Sequence, residues 1–242
     1  MRLRKRKGSR EKLEQMTDLV VLEPERYCGR WKEFFGNDRP IHVELGMGKG
    51  KFISEMSWKF PEINFIGVDR YDELIYRASE KSIKLWEEKA GIRPPNLALV
   101  LLNIEGIEKA FGEGEIERIY LNFSDPWPKR RHAKRRLTHP RFLQKYAALL
   151  NEKGEIHFKT DSKMLFEFSL NTFSDMGFRL HNITFDLHND ERITDNIMTE
   201  YEIKFHEQGV PIYRCEAIVG KEALENLRIR KEKELSELLN SR

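Results

Sequence analysis

The sequence predicts an α/β fold: a seven-stranded, mostly parallel sheet with helices on both faces. Three observations carry this expectation. Short apolar runs alternate with longer stretches of helical periodicity across residues 38–220. One run, Leu97–Leu102, is continuously apolar, as in strands buried on both faces of a parallel sheet. A glycine-rich turn at 46–50 joins the first strand directly to the first helix. Open sheets of this kind bind ligands at the carboxyl ends of their strands, near the point where strand order reverses.

Each element follows from local pattern. Residues 1–37 read as a basic arm and an anchoring segment, with Trp31, Phe34 and Phe35 packing on the body. Ile41–Leu45 is the first strand, and Lys51–Lys59 a helix with Phe52, Ile53 and Met56 on one face. Asn64–Asp69 is the second strand. Glu73–Lys89 is helical, with Leu74, Ile75, Ala78, Leu85 and Trp86 inward, until Gly91, Pro94 and Pro95 break it. Leu97–Leu102 is the third strand, followed by a short helix over Ile104–Phe111. Arg118–Phe123 is the fourth strand, Pro140–Leu150 a helix, and Gly154–Thr160 the fifth strand. Ser162–Met176 is a helix closed by Gly177, and Phe178–Phe185 and Ile212–Val219 are the last two strands. A short helix near Thr199–Gln208 lies between them, and residues 221–242 form a charged helix.

Charge is distributed unevenly over the 242 residues. The formal net charge is +3, yet residues 1–12 carry +6 and residues 129–136 (KRRHAKRR) another +6, which leaves −9 on the remainder. A mildly acidic body with two basic segments points to a polyanionic partner. The apolar runs are too short to span a bilayer, and no apolar segment follows the basic N-terminus as in a secretory signal. Two cysteines, Cys28 and Cys215, without metal-ligand spacing, suit a reducing cytoplasm and argue against a zinc site or disulfide framework. No metal is expected, and the chain is expected to act as a monomer or homodimer.

The first strand ends in Glu44-Leu45-Gly46-Met47-Gly48-Lys49-Gly50, and Asp69 closes the second strand. Glycines allow a tight turn and close backbone approach to a ligand, and a carboxylate at the position of Asp69 grips a ribose in such folds. A dinucleotide site wants G-x-G-x-x-G. Here the spacing is G-x-G-x-G with a carboxylate two places before it, awkward for a pyrophosphate and suited to a sulfonium and an amino group. This spacing resembles motif I of Rossmann-like class I methyltransferases, which bind S-adenosyl-L-methionine. Asn103 ends the third strand, where it can face an adenine or simply terminate the strand.

The segment Asn122-Phe123-Ser124-Asp125-Pro126-Trp127-Pro128-Lys129 is the most informative stretch. Two prolines stiffen the backbone beyond the strand end and present Asp125 at a fixed angle. Trp127 suits stacking on a base, and the cations that follow suit phosphates. A carboxylate, an indole and a phosphate clamp within twelve residues is what a base-modifying enzyme needs.

This stretch resembles the signature of bacterial tRNA (guanine-N7)-methyltransferases. Similar flanking motifs are HVELGMGKGKF at 42–52, GVDRY at 67–71, HFKTD at 157–161 and MTEYE at 198–202. The resemblance covers roughly residues 15–220 and leaves out the first dozen residues and the tail. It implies methyl transfer from S-adenosyl-L-methionine to N7 of guanosine 46 in the variable loop of tRNA. It assigns Glu44, Gly46, Gly48, Asp69, Asn103 and Asp125 to the cofactor, with Asp125 also catalytic. Lys129, Asp161, Thr199, Glu200, Tyr201 and Glu202 fall to the substrate, and Arg131, His132, Lys134, Arg135 and Arg136 to the RNA. Read locally, Asp161 can equally cap the following helix, and Thr199 with Glu202 has the look of a capping box. Three rivals stand beside this reading: a methyltransferase of small molecules or proteins, an RNA-binding module without catalysis, and an NAD-dependent oxidoreductase.

Overall fold

A computed structural model describes residues 9–240, and side chains from Arg10 to Glu237. The arm expected over residues 1–12 therefore lies largely outside the described residues. The strands are β1 (Val20–Val21), β2 (Ile41–Leu45), β3 (Asn64–Asp69), β4 (Leu97–Leu101), β5 (Ile116–Asn122), β6 (Leu150–Thr160), β7 (Arg179–Thr184) and β8 (Tyr213–Ile218). The helices are α1 (Ser9–Leu13), α2 (Trp31–Phe35), α3 (Lys51–Lys59), α4 (Asp72–Ala90), α5 (Pro140–Leu149), α6 (Lys163–Asp175), α7 (Glu200–Glu207) and α8 (Lys221–Asn240). Short 3₁₀ turns include Ile104–Lys109 and Arg130–Arg135.

The sheet has eight strands in the order β1-β4-β3-β2-β5-β6-β8-β7. The expected number was seven. The additional strand, β1, is two residues long and pairs Val20 with Leu99 and Val21 with Val100 at the sheet edge. Two residues are too few to show a period of two, so only pairing with β4 defines this strand. All pairings are parallel except those of β8, which runs antiparallel to β6 and β7. The chain winds outward through β3 and β4 on one side of β2, then returns to β5 on the other. The switch point lies between β2 and β5, and its crevice opens at their carboxyl ends.

One face of the sheet carries Val43, Leu45, Ile66, Val68, Ile119, Leu121, Ile156 and Phe158 in a continuous core with residues of α5 and α6. Each such side chain, fully buried, contributes about 1.5–3 kcal/mol. Trp31 belongs to this core. Its ring stacks on Phe111 with centroids 5.6 Å apart, and its indole N–H donates to Ala110 O at 2.8 Å. On the other face α3 and α4 cover β2, β3 and β4. Beyond them this face turns polar: Arg118, Tyr120 and Asn122 of β5 sit in register with Glu155, His157 and Lys159 of β6. Ile193, Asp195, Asn196 and Ile197 help line a cavity of about 130 Å³ against that stripe.

Candidate active site at the carboxyl edge of the sheet

The turn after β2 is built from three left-handed glycines, Gly46 (φ 80°), Gly48 (58°) and Gly50 (75°). An L side chain is strained at these angles. Gly50 is also constrained sterically, because a Cβ there would lie 2.5 Å from the Cβ of Ala78 on α4. This contact lets α3 start directly against α4, so the loop is held from behind.

Asp69, at the end of β3, is 7% exposed and fixed by backbone donors. Its Oδ2 accepts from Gly48 N at 3.2 Å, and its Oδ1 from Arg70 N at 2.7 Å and Tyr71 N at 3.3 Å. Burial raises its pKa, and these amides act against that rise. Glu44 lies deeper, 2% exposed. Asn122 Nδ2 donates to its Oε1 at 2.9 Å, while Oε2 is buried with no hydrogen-bond partner. Burial pushes the Glu44 carboxyl up to about 8. A buried acid with one orphaned oxygen beneath a ligand loop fits a site that receives a cationic group.

Gly46, Asp69, Asn103 and Asp125 meet in one cleft of about 640 Å³, within the range of small-molecule sites. Asn103 is exposed, and its Oδ1 accepts from Glu105 N at 3.2 Å as the cap of the following turn. The cap uses only the oxygen, and the same side chain lines the cleft. Tyr71, Phe123 and Trp127 add aromatic walls to the cleft.

The loop after β5 is strained. Phe123 (φ 52°) and Trp127 (φ 43°) are both left-handed without being glycine. Strain of this kind persists where surrounding contacts over-determine it. Phe123 N donates to Lys159 O at 2.9 Å, which fixes the start of the loop to β6. The far end is fixed by Arg136, which is 6% exposed. Its Nε donates to Pro126 O at 3.2 Å and its Nη2 to Trp127 O at 3.1 Å, with the guanidinium 4.4 Å over the Phe168 ring. Asp125 stays exposed between these two anchors.

The basic run thus divides. Lys129, Arg131, Lys134 and Arg135 are exposed, while His132 is half-buried. Arg135 lies 4.8 Å over the Trp127 ring, and the His132 ring meets the same indole edge-on at 5.7 Å. The resemblance places Arg136 among these RNA-facing residues, but its guanidinium points inward and holds the loop.

Asp161 follows β6. The cap of α6 is Ser162, whose Oγ accepts from Leu165 N at 3.3 Å, so Asp161 is left out of that cap. Thr199 caps α7 by accepting from Glu202 N at 2.9 Å. The Glu202 side chain does not close a capping box. It is fully buried and accepts from Lys159 Nζ at 2.7 Å. Glu200 pairs with Lys81. Tyr201 is 51% exposed, and its ring lies 5.6 Å from that of Phe123. Burial, then the charges of Asp161 and Asp125, raise its phenol pKa, so all three groups share one rim.

An open sheet with this strand order, a glycine loop, an acid after β3 and a carboxylate loop after β5 defines a Rossmann-like class I methyltransferase. Solved structures agree at the level of the fold. An antibiotic-related methyltransferase superposes with TM-score 0.58 at 16% identity, over 83% of this chain and 96% of that one. The 16S rRNA methyltransferase KamB gives 0.58 at 11%, over 79% and 93%. A family described as putative methyltransferase matches residues 38–215. A tRNA (guanine-N(7)-)-methyltransferase of Geobacillus sp. is 50% identical over 89% of this chain and 94% of that protein. The Streptococcus mutans and Listeria innocua proteins of the same name are each 48% identical over 90% of this chain, and over 99% and 98% of their own lengths. The chain belongs to the tRNA (guanine-N7)-methyltransferase family.

Two residues lie outside the expected site: Phe123 as a cleft wall and Lys159 as an anchor. The second had a signal: Glu155, His157 and Lys159 alternate with Ile156 and Phe158, marking one polar face of a strand that should be buried.

Proposed function

We propose that this protein transfers a methyl group from S-adenosyl-L-methionine to N7 of a guanosine in tRNA, at position 46 of the variable loop. The observation that carries this reading is the single cleft that gathers Gly46, Asp69, Asn103 and Asp125, with the exposed cations of 129–135 at its rim. The residues present fit the cofactor. Asp69 suits the ribose hydroxyls, Asn103 has an amide nitrogen for the adenine edge, and Glu44 lies beneath the loop for the methionyl amino end. When bound, the cofactor supplies an electrophilic methyl carbon on a sulfonium.

N7 of guanine has an in-plane lone pair and no proton, so no general base is required. The task of the protein is alignment at near-attack distance. Asp125 accepts from guanine N1–H and the exocyclic amine, a donor pair that adenine lacks. Its charge also stabilises the purine as it becomes cationic. Tyr201, Phe123 and Trp127 offer faces for stacking, and Lys129, Arg131, Lys134 and Arg135 take phosphates. The position of Asp161 beside Tyr201 suits a second contact to the base.

Labelled S-adenosyl-L-methionine incubated with bulk tRNA, followed by nucleoside mapping, tests the reading. Label at N7 of guanosine in the variable loop supports it, and label elsewhere or none overturns it. Asp125→Asn is expected to lose activity at every pH with cofactor affinity little changed. Near wild-type turnover in that variant would remove Asp125 from the mechanism.

A further inference from the structure

We propose that Lys159 is a positioning residue for methyl transfer: its ammonium fixes the 196–202 segment, and with it Tyr201, on the strand ends that carry Asp125 and Asp161. This rests on the functional reading above and adds a residue to it.

Lys159 is 5% exposed. Its Nζ donates to Glu202 Oε2 at 2.7 Å, to Asn196 Oδ1 at 3.0 Å and to Ile197 O at 3.0 Å. An ammonium has three donors, and all three are spent on one short segment. On the acceptor side each oxygen of Glu202 has its donor: Oε2 accepts from Lys159 and Oε1 from Asn196 Nδ2 at 2.6 Å. Both ends of the segment are therefore held by one atom. Asn196 and Ile197 precede the Thr199 cap, and Glu202 follows it.

The backbone of the same residue reaches the other half of the site. Lys159 O accepts from Phe123 N, the first residue of the strained loop. Two residues further on is Asp161. Tyr201 adjoins Glu202 in the first turn of α7, and its ring meets Phe123 at the cleft mouth. Two more cations bind the segment from the glycine-loop side: Lys51 Nζ donates to Met198 O at 3.2 Å, and Lys81 pairs with Glu200. Lys159 is thus the point where the β5 loop, the β6 end and α7 are joined.

Stability alone does not account for this arrangement. A buried ion pair costs so much desolvation that apolar residues of similar volume are often as stable or more so. What the pair supplies is a fixed geometry, through three bonds that an apolar pair cannot reproduce.

The test compares wild type, Lys159→Met, Lys159→Arg and the double variant Lys159→Met/Glu202→Met in methylation of tRNA, with cofactor affinity and thermal midpoint measured beside it. In Lys159→Met, kcat is expected to fall about 100-fold, the scale of a 1 Å misplacement of a reacting group. KM for tRNA and the Kd for S-adenosylhomocysteine are expected to move less than about threefold, because the phosphate contacts and cofactor cleft are left in place. Lys159→Arg keeps the charge but presents a planar fork, and gives an intermediate kcat. The double variant leaves no buried charge unpaired and regains the wild-type midpoint while kcat stays low. Recovery of kcat together with the midpoint would show a purely structural role and overturn the proposal, as would a rise in KM alone. Wild type that transfers no methyl group to tRNA would instead overturn the functional reading, a result visible before any variant is compared.

Discussion

Arg136 gives the sharpest separation between holding the site and binding RNA. Replacing it with Ala removes two charge-assisted hydrogen bonds, to Pro126 O and Trp127 O, and the contact with the Phe168 ring. Bonds to charged groups contribute about 1.5–3 kcal/mol each, and the freed carbonyls recover part of this from water. The two left-handed residues, Phe123 and Trp127, oppose the clamped loop by about 1–2 kcal/mol each. Without the clamp this strain, about 2–4 kcal/mol in all, is left unopposed, and the productive loop becomes the minor form by about 30-fold or more. Single-turnover methylation at saturating tRNA and cofactor should fall by that factor. In the same variant the slope of log Kd for tRNA against log salt should not change. A residue bound to phosphate behaves in the opposite way, lowering the slope by about 0.7–0.9 and sparing the saturated rate. That second pattern in Arg136→Ala would refute the clamp.

Three further outcomes follow from the geometry. Neutralising Arg131, Lys134 and Arg135 together should weaken tRNA binding and flatten its salt slope by about 2–3, read by filter binding at several ionic strengths, with cofactor affinity retained. Gly50→Ala combines a strained, left-handed φ with a Cβ 2.5 Å from that of Ala78, so thermal denaturation should show a loss of about 2–5 kcal/mol. Glu44 has a folded pKa near 8 against 4.5 unfolded, so folding takes up a proton between those values and stability from this group falls as pH rises through that window. Cofactor-free Glu44→Gln should therefore gain on wild type by up to about 1.4 kcal/mol per pH unit between pH 5 and 8, measured by urea unfolding; parallel curves would show that Glu44 is ionised.

Much of the fold was legible because parallel strands buried on both faces read as unbroken apolar runs, as Leu97–Leu101 does. The limits were physical. Val20–Val21 becomes a strand only through its partner on β4. Lys129–Arg136 reads as one basic segment, but a 3₁₀ turn over 130–135 exposes Arg135 and buries Arg136, and spacing alone cannot say which guanidinium turns inward. T-x-x-E at 199–202 suggests a capping box, yet only its threonine half forms. The glutamate goes to a lysine 43 positions earlier, a distance that no local pattern reports.

The four carboxylates of the site differ in burial, and the difference matches the two ligands of the proposed reaction. Glu44 and Asp69 are nearly sealed, 2% and 7% exposed, beneath and beside the glycine loop. Burial raises both pKa values against the pull of their hydrogen bonds, so positive charge and hydroxyl donors from a small molecule that fills the cleft favour their ionised forms. Asp125 is exposed and Asp161 half-buried, on the rim with Tyr201. A guanosine belongs to a macromolecule that cannot enter a sealed cleft, so the groups that meet it must stay at the surface. Surface groups are mobile unless something holds them. Here that work falls to two buried cations, Arg136 under the Asp125 loop and Lys159 under the 196–202 segment. A rigid rim laid over buried cations lets exposed carboxylates reach the precision that alignment of N7 with the methyl carbon demands.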